Sequence, residues 1–294
     1  MFNKKYPMAC EGIWGGAFSV TFCSICDNNC KFCIAKSTLE KNQKLERNVD
    51  AMIKTTLEHC EGRDMVEISG GEPFLFMDDL EKYVLAIRPH VKLIRIFTSL
   101  SKTIIDNWDK FINIYNNVDL IIASYQHYDS DLNNFLYRAH SNHNRLEILA
   151  KIAELNADKL RVNMNLIRYG FDSKDEIDKG LAFLAAIHVK HVRLNEMQKA
   201  DFCYVDFQKA YKKKLPSPYI YGCVRPIKLR KFKDLDITIK MACFHMTDFK
   251  MPTKRELKFC YKRARRKPES NTMVVREDGS YSYGYYGKIV ENED

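Results

Sequence analysis

No apolar run in this sequence approaches the length that crosses a bilayer, and the first ten residues, Met1 to Cys10, lack the apolar core of a secretion signal. The first absence excludes a spanning helix and the second a conventional exported chain. The expectation is therefore a cytoplasmic protein, or one in another reducing compartment, with no membrane partner. Two further absences matter later. The C-terminal half holds no C-x2-C pair, and nothing before Phe18 reads as an added peptide-recognition domain.

Cysteine, by contrast, is plentiful. Ten are present, and five of them (Cys10, Cys23, Cys26, Cys30, Cys33) fall within the first 33 residues. In a reducing compartment such clustering points to metal or cluster binding before disulfides. The stretch Cys26-Asp27-Asn28-Asn29-Cys30-Lys31-Phe32-Cys33 sets three thiols as C-x3-C-x2-C, with an aromatic before the last. Such a loop can wrap three corners of a cubane iron–sulfur cluster and leave the fourth iron open for a ligand. Zinc held by Cys23, Cys26, Cys30 and Cys33 is the alternative, although zinc sites usually part their two cysteine pairs by a longer loop.

The 294 residues, 46% of them hydrophobic, suffice for one large α/β domain or a main domain with an appendage. Apolar runs predict six strands: Phe18 to Cys23, Met65 to Ser69, Lys92 to Thr98, Val118 to Ser124, Leu160 to Ile167 and His191 to Glu196. Helical patterns lie between them. One carries Val49, Met52, Ile53, Thr56 and Leu57 on a face and ends at Gly62 as C-cap. Others cover Asp78 to Ile87 (stopped by Pro89), Thr103 to Ile114, Asp131 to Arg138 and Asn144 to Asn156. The last covers Lys174 to Ile187, with Ile177, Leu181, Leu184 and Ala185 inward. Strands alternating with helices imply a parallel sheet, doubly wound or curled into a barrel, with chemistry at the C-terminal strand ends. The cysteine loop follows the first strand, and Gly70-Gly71-Glu72-Pro73 follows the second. Two motifs thus fall on one rim. Two glycines permit close backbone approach, although an ordinary turn into a helix would be written the same way.

Together the Cys26-x3-Cys30-x2-Cys33 and Gly70-Gly71-Glu72-Pro73 motifs resemble the radical S-adenosylmethionine (SAM) superfamily. The resemblance implies a partial (β/α)6 TIM-like barrel that binds a [4Fe–4S] cluster and SAM, which is cleaved reductively to a 5′-deoxyadenosyl radical that abstracts hydrogen from a substrate. It implies cluster ligation by Cys26, Cys30 and Cys33. SAM contacts are implied for Phe32, Gly70, Gly71, Glu72, Pro73, Ser124, Asn163, Asn165 and Arg193. It also implies a reductant such as ferredoxin or flavodoxin. Asn163 and Asn165 share one strand face by the period of two, where they contact ligand or bond to neighbouring strands. Val192-Arg193-Leu194-Asn195-Glu196 is similar to a stretch of the GTP-cyclising enzymes of molybdenum-cofactor synthesis, where Arg193 touches SAM or substrate or pairs with Glu196. Thr98-Ser99-Leu100 departs from the family pattern and receives no role.

After Glu196 the alternation stops. Residues 1–199 are expected to form the barrel and residues 200–294 a small α+β module. There Glu277-Asp278-Gly279 predicts a hairpin turn resembling the strand-turn-strand of twitch or SPASM extensions. That resemblance implies a second iron–sulfur cluster on Cys223, Cys243 and Cys260, with Cys203 a further thiol. Buried free cysteines are the alternative.

The net charge of +9 is concentrated between Lys250 and Lys267, where nine Lys/Arg face one Glu. That run is either a phosphate-binding surface or a solvated helix face. A small anionic, nucleotide-like substrate is the favoured expectation. A peptide substrate, an RNA substrate and a non-catalytic cluster-binding protein are the alternatives, and no residue is assigned to the hydrogen-abstraction step.

Overall fold

The computed structural model describes residues 18–42, 45–61, 65–197, 202–216, 224–242, 273–283 and 289–290. Ten strands among them share one sheet that does not close: β1 Phe18–Cys23, β2 Met65–Gly70, β3 Leu93–Thr98, β4 Leu120–Tyr125, β5 Leu160–Leu166, β6 His191–Glu196, β7 Val224–Pro226, β8 Asp236–Lys240, β9 Met273–Val275 and β10 Tyr281–Tyr283. Their order is β10-β9-β1-β2-β3-β4-β5-β6-β8-β7. Nine α-helices among the described residues accompany them: α1 Lys36–Asn42, α2 Val49–His59, α3 Met77–Ile87, α4 Lys102–Asp106, α5 Trp108–Asn116, α6 Ser130–Tyr137, α7 Arg145–Leu155, α8 Lys174–Ala186 and α9 Phe207–Ala210. The architecture is the expected α/β one, a largely parallel open sheet alternating with helices. The chain forms two compact units, one holding residues 18–27, 35–122 and 273–290, the other residues 28–34 and 123–242.

In the first unit β1 runs parallel to β2 on one side and to β9 on the other, and β2 runs parallel to β3. Alternate residues explain the packing. Phe18, Val20 and Phe22 are fully buried, and the Phe22 ring meets Tyr83 of α3 edge-on at 5.8 Å. The Tyr83 hydroxyl reaches Thr56 of α2 at 2.6 Å. Each fully buried side chain of this size contributes about 2–3 kcal/mol. The other face of the strands is polar. Ser19, Glu67 and Arg95 lie in register, and Arg95 pairs with Glu67 at 2.5 Å with both side chains buried. The hairpin at 277–279 is present: β9 and β10 pair antiparallel around Gly279 at φ +86°.

Three expectations need correction. Helix α2 ends at His59 with Cys60 as its cap in ordinary right-handed backbone, so no glycine is required; Gly62 lies outside the described residues. The helix expected over Thr103 to Ile114 is two helices. They part at Asn107, whose side chain bonds back to the Thr103 carbonyl at 3.1 Å and competes with the helical pattern. Ala185 is exposed; only Ile177, Gly180, Leu181 and Leu184 of α8 form its buried stripe.

In the second unit β5, β6 and β8 run parallel and β7 pairs antiparallel with β8. After Glu196 the chain thus adds a further parallel strand, β8, beside β6. The apolar face of these strands (Val162, Met164, Leu194, Ile239) looks toward α8. A methyl built on Gly180 of that helix would sit 2.7 Å from the Met164 terminal carbon. Asn163 and Asn165 point the opposite way, in register with Arg193 and Asn195.

Candidate active site

The site is best built from its loop. Pairing of β1 with β2 slips between Thr21 and Cys23, a bulge that turns the chain out of the sheet into the cysteine loop. The segment after β2 then grips the loop's entry arm. The Gly71 amide donates to the Cys23 carbonyl at 2.7 Å, and the Glu72 amide to the Ile25 carbonyl at 2.9 Å. This contact explains both glycines. Gly70 has φ +131°, and a Cβ there would lie 2.4 Å from the Cys23 carbonyl oxygen; a Cβ on Gly71 would lie 1.9 Å from that of Ile25. The close approach that forbids a side chain is thus to the cysteine loop's own backbone.

Glu72 is fully buried and caps the single turn that Pro73 opens, accepting from the Phe74 amide at 3.2 Å. Its carboxylate also accepts from Thr98 Oγ1 at 2.9 Å, the Ser99 amide at 2.6 Å and Ser99 Oγ at 2.7 Å. Burial pushes its pKa up to about 7, with Asp27 adding to the rise and the Ser99 and Thr98 hydrogen bonds opposing it. Thr98 and Ser99, which carried no sequence-based role, therefore brace the Gly-Gly-Glu-Pro turn. Cys23 is fully buried, and burial, reinforced by Glu72 and Glu277, keeps its thiol protonated.

Within the second unit the loop's exit arm is held by a different set of groups. Asn28 forms a bridge with Ala139, and the Asn29 amide donates to the Tyr137 carbonyl at 3.2 Å. Arg145, 1% exposed at the start of α7, donates to Asn28 Oδ1 at 2.8 Å and also bonds to Asn134 Oδ1. The Cys33 amide closes a turn onto the Cys30 carbonyl at 3.2 Å. Phe32 is buried in a small cluster with Ile167, Met197 and Cys203, against which Cys30 and Leu136 pack. Nothing in the local pattern marked Arg145; its only signal was a cation at a helix start, where cations are unfavourable.

Cys26, Cys30 and Cys33 are half-buried, and none of them is in a disulfide. Among the described residues no three His, Cys, Asp or Glu side chains are gathered as a ready-made cage. The loop crosses from one unit to the other between Asp27 and Asn28. Ser124 is half-buried near the end of β4. Asn165 Oδ1 accepts from Asn195 Nδ2 at 3.1 Å, whereas Asn163 Oδ1 is buried with no protein partner. Arg193 is 6% exposed. Glu196 is a brace: its carboxylate takes the Ala242 amide at 2.8 Å, the Phe207 amide at 3.0 Å and the Tyr204 hydroxyl at 3.2 Å. Burial raises the Cys203 thiol to about 11. Cys223, Cys243, Cys260 and the basic run 250–267 lie outside the described residues. Among those described, no helix is long and apolar enough to cross a membrane.

Comparison with known proteins supplies the family. A model of the radical SAM superfamily matches residues 20–183. Among solved structures, the chain is similar to SuiB from Streptococcus suis, at 15% identity over 91% of this chain and 60% of that one, with a TM-score of 0.54. It is likewise similar to anSMEcpe with bound AdoMet and a Kp18Cys peptide, at 15% identity over 92% of this chain and 74% of that one, TM-score 0.54. The chain thus spans about 60% of SuiB's length. No curated protein matches it in sequence. At these identities the solved structures establish a shared fold, and the family match carries the chemistry: the chain belongs to the radical SAM superfamily, enzymes that set S-adenosylmethionine against a [4Fe–4S] cluster.

Proposed function

We propose that Cys26, Cys30 and Cys33 hold the [4Fe–4S] cluster, that SAM binds at its open iron, and that the enzyme removes a hydrogen atom from a small anionic, nucleotide-like substrate. The single observation that carries the cofactor reading is the lock between the two motifs: the Gly71 and Glu72 amides hold the Cys23 and Ile25 carbonyls, immediately ahead of the first ligand. Asn163 adds to the fit, because its buried carbonyl oxygen has an unused acceptor site that a ribose hydroxyl or an ammonium would satisfy. When bound, the cluster and SAM supply one-electron cleavage to methionine and a 5′-deoxyadenosyl radical, with the electron coming from a ferredoxin- or flavodoxin-like reductant. The chain's own part is positional. Glu72, Thr98 and Ser99 fix the glycine turn, and Phe32 packs the loop's far end.

For the substrate, the polar face of the second unit favours an anion. Arg161 and Arg193 are 1% and 6% exposed and share a strand face with Asn163 and Asn195. Buried guanidinium groups are well suited to phosphate or carboxylate. A peptide is the second reading. SuiB bound to its precursor peptide SuiA shares the fold at TM-score 0.54, although a fold does not bring its substrate with it.

Anaerobically reconstituted protein with dithionite should form 5′-deoxyadenosine from SAM, and Cys30→Ala should abolish it. A loaded wild type that never cleaves SAM under any reductant would defeat the enzyme reading. An extract of cells grown in heavy water, separated into small anions, peptides and RNA, locates the hydrogen donor by deuterium in 5′-deoxyadenosine. Label from the anion fraction supports the first reading, and label from the peptide fraction replaces it with the second.

A further inference from the structure

The Glu277-Asp278-Gly279 turn, noticed in sequence for its hairpin, is packed against the entry arm of the cysteine loop. Glu277 is 4% exposed. Its Oε2 accepts the Ser24 amide at 3.2 Å, and its Oε1 takes the Ser24 hydroxyl. The arm Cys23-Ser24-Ile25 is therefore held from two sides. Gly71 and Glu72 take its carbonyls, and Glu277 takes the amide and hydroxyl between them. Cys26 follows directly.

Glu277 is itself fixed in place. Its carbonyl accepts the Asn48 amide at 2.7 Å. The adjoining Gly279 lies so close to α2 that a Cβ there would sit 2.6 Å from the Ala51 methyl, and the Gly279 carbonyl accepts from Thr55 Oγ1 at 2.8 Å. A carboxylate held in this way out of water carries a desolvation cost that a neutral glutamine in the same place would largely avoid. A carboxylate here is therefore better explained by its charge and geometry than by stability.

We infer that Glu277 is a positioning residue for the cluster: it fixes the backbone that presents Cys26 and sets a fixed negative charge beside the iron site. The inference rests on the reading that Cys26 is a cluster ligand. Two effects are separable. Groups that orient metal ligands are typically worth 10–100-fold in metal affinity or activity. A fixed negative charge near a cluster disfavours adding an electron, so its removal makes the cluster easier to reduce.

The test uses full-length protein reconstituted with iron and sulfide. Glu277→Gln keeps the shape and removes the charge. It should load iron as wild type does and show a less negative midpoint potential in an EPR-monitored redox titration. Glu277→Ala also removes the acceptor and should need about tenfold more iron for half-loading. Asp278→Asn, one residue on in the same turn, should leave the potential unchanged. Should Glu277→Ala fail to fold, Ser24→Ala removes the hydroxyl's hydrogen bond while keeping the amide's and the charge, and should weaken loading less than tenfold and without the potential shift. A Glu277→Gln potential equal to wild type, or one matched by Asp278→Asn, overturns the inference. A wild type that loads no cluster fails the underlying reading of the loop instead.

Discussion

A single methyl group tests how tightly the two motifs are locked together. Gly71→Ala places a Cβ 1.9 Å from the Ile25 carbonyl oxygen and 2.4 Å from its carbon, whereas ordinary contact begins at 3.4 Å. The obstacle is backbone, so no side-chain rotation relieves it, and the entry arm must retreat by about 1.5 Å. That movement breaks the 2.7 and 2.9 Å hydrogen bonds from Gly71 and Glu72. With about 1 kcal/mol for each bond and about 2 kcal/mol for overpacking, the cost is about 4 kcal/mol. For a chain of this size that lowers Tm by roughly 10 °C. More telling is the cluster: on the proposed ligation by Cys26, Cys30 and Cys33, shifting the arm that presents Cys26 should cost most of the iron after anaerobic reconstitution. Gly180→Ala is the matched control. Its Cβ would crowd Phe171 at 2.4 Å and Met164 at 2.7 Å, in the core beneath α8. It should lower Tm by a similar order and leave iron per chain unchanged. If Gly71→Ala loads iron like wild type, or if both variants lose iron in proportion to their Tm, the lock between the motifs is not what shapes the loop.

Two further outcomes follow from buried polar groups. Glu72 titrates at about 7 when folded against an ordinary 4.5, so between those values the folded chain holds a proton the unfolded chain lacks. Stability should therefore fall as pH rises from about 4.5 to 7, by up to about 3 kcal/mol, and Glu72→Gln should flatten that slope in urea titrations; a wild-type slope of opposite sign counts against a protonated Glu72. Asn163→Ala should weaken SAM binding about tenfold in anaerobic calorimetry while leaving the SAM-free Tm unchanged or higher, because it removes an acceptor that the protein leaves unsatisfied. Unaltered SAM affinity would dismiss Asn163 as a ligand contact.

The strands were legible because each is a short apolar run ending at a polar rim: Phe18–Cys23 and His191–Glu196 match their predicted bounds, and β2 extends by one residue to Gly70. Helix ends were less so. Cys60 caps α2 with no sequence mark, and Asn107 divides α4 from α5 through a bond to its own backbone. At the site, the motifs were visible and their supports were not. The two glycines announced a close approach, but only the fold reveals that the approach is to Ile25. Thr98 and Ser99 on Glu72, Arg145 on Asn28 and Glu277 on Ser24 are contacts between residues far apart in the chain. No hydrophobic period records such pairs, because each depends on which strand ends become neighbours.

The Ser24–Glu277 contact joins residues 253 positions apart. At about 5–20 residues per second of synthesis, roughly ten to fifty seconds separate the emergence of the serine from that of the glutamate. During that interval the cysteines are already out while the arm that presents the first of them lacks one of its two clamps. The thiol loop is thus made well before the hairpin that completes its clamp. Iron that arrives early meets a pliable three-thiol loop, whereas iron that arrives after the hairpin has docked meets a shaped one. Assembly of the metal centre in this protein is in that sense timed by a hairpin 253 positions further along the chain.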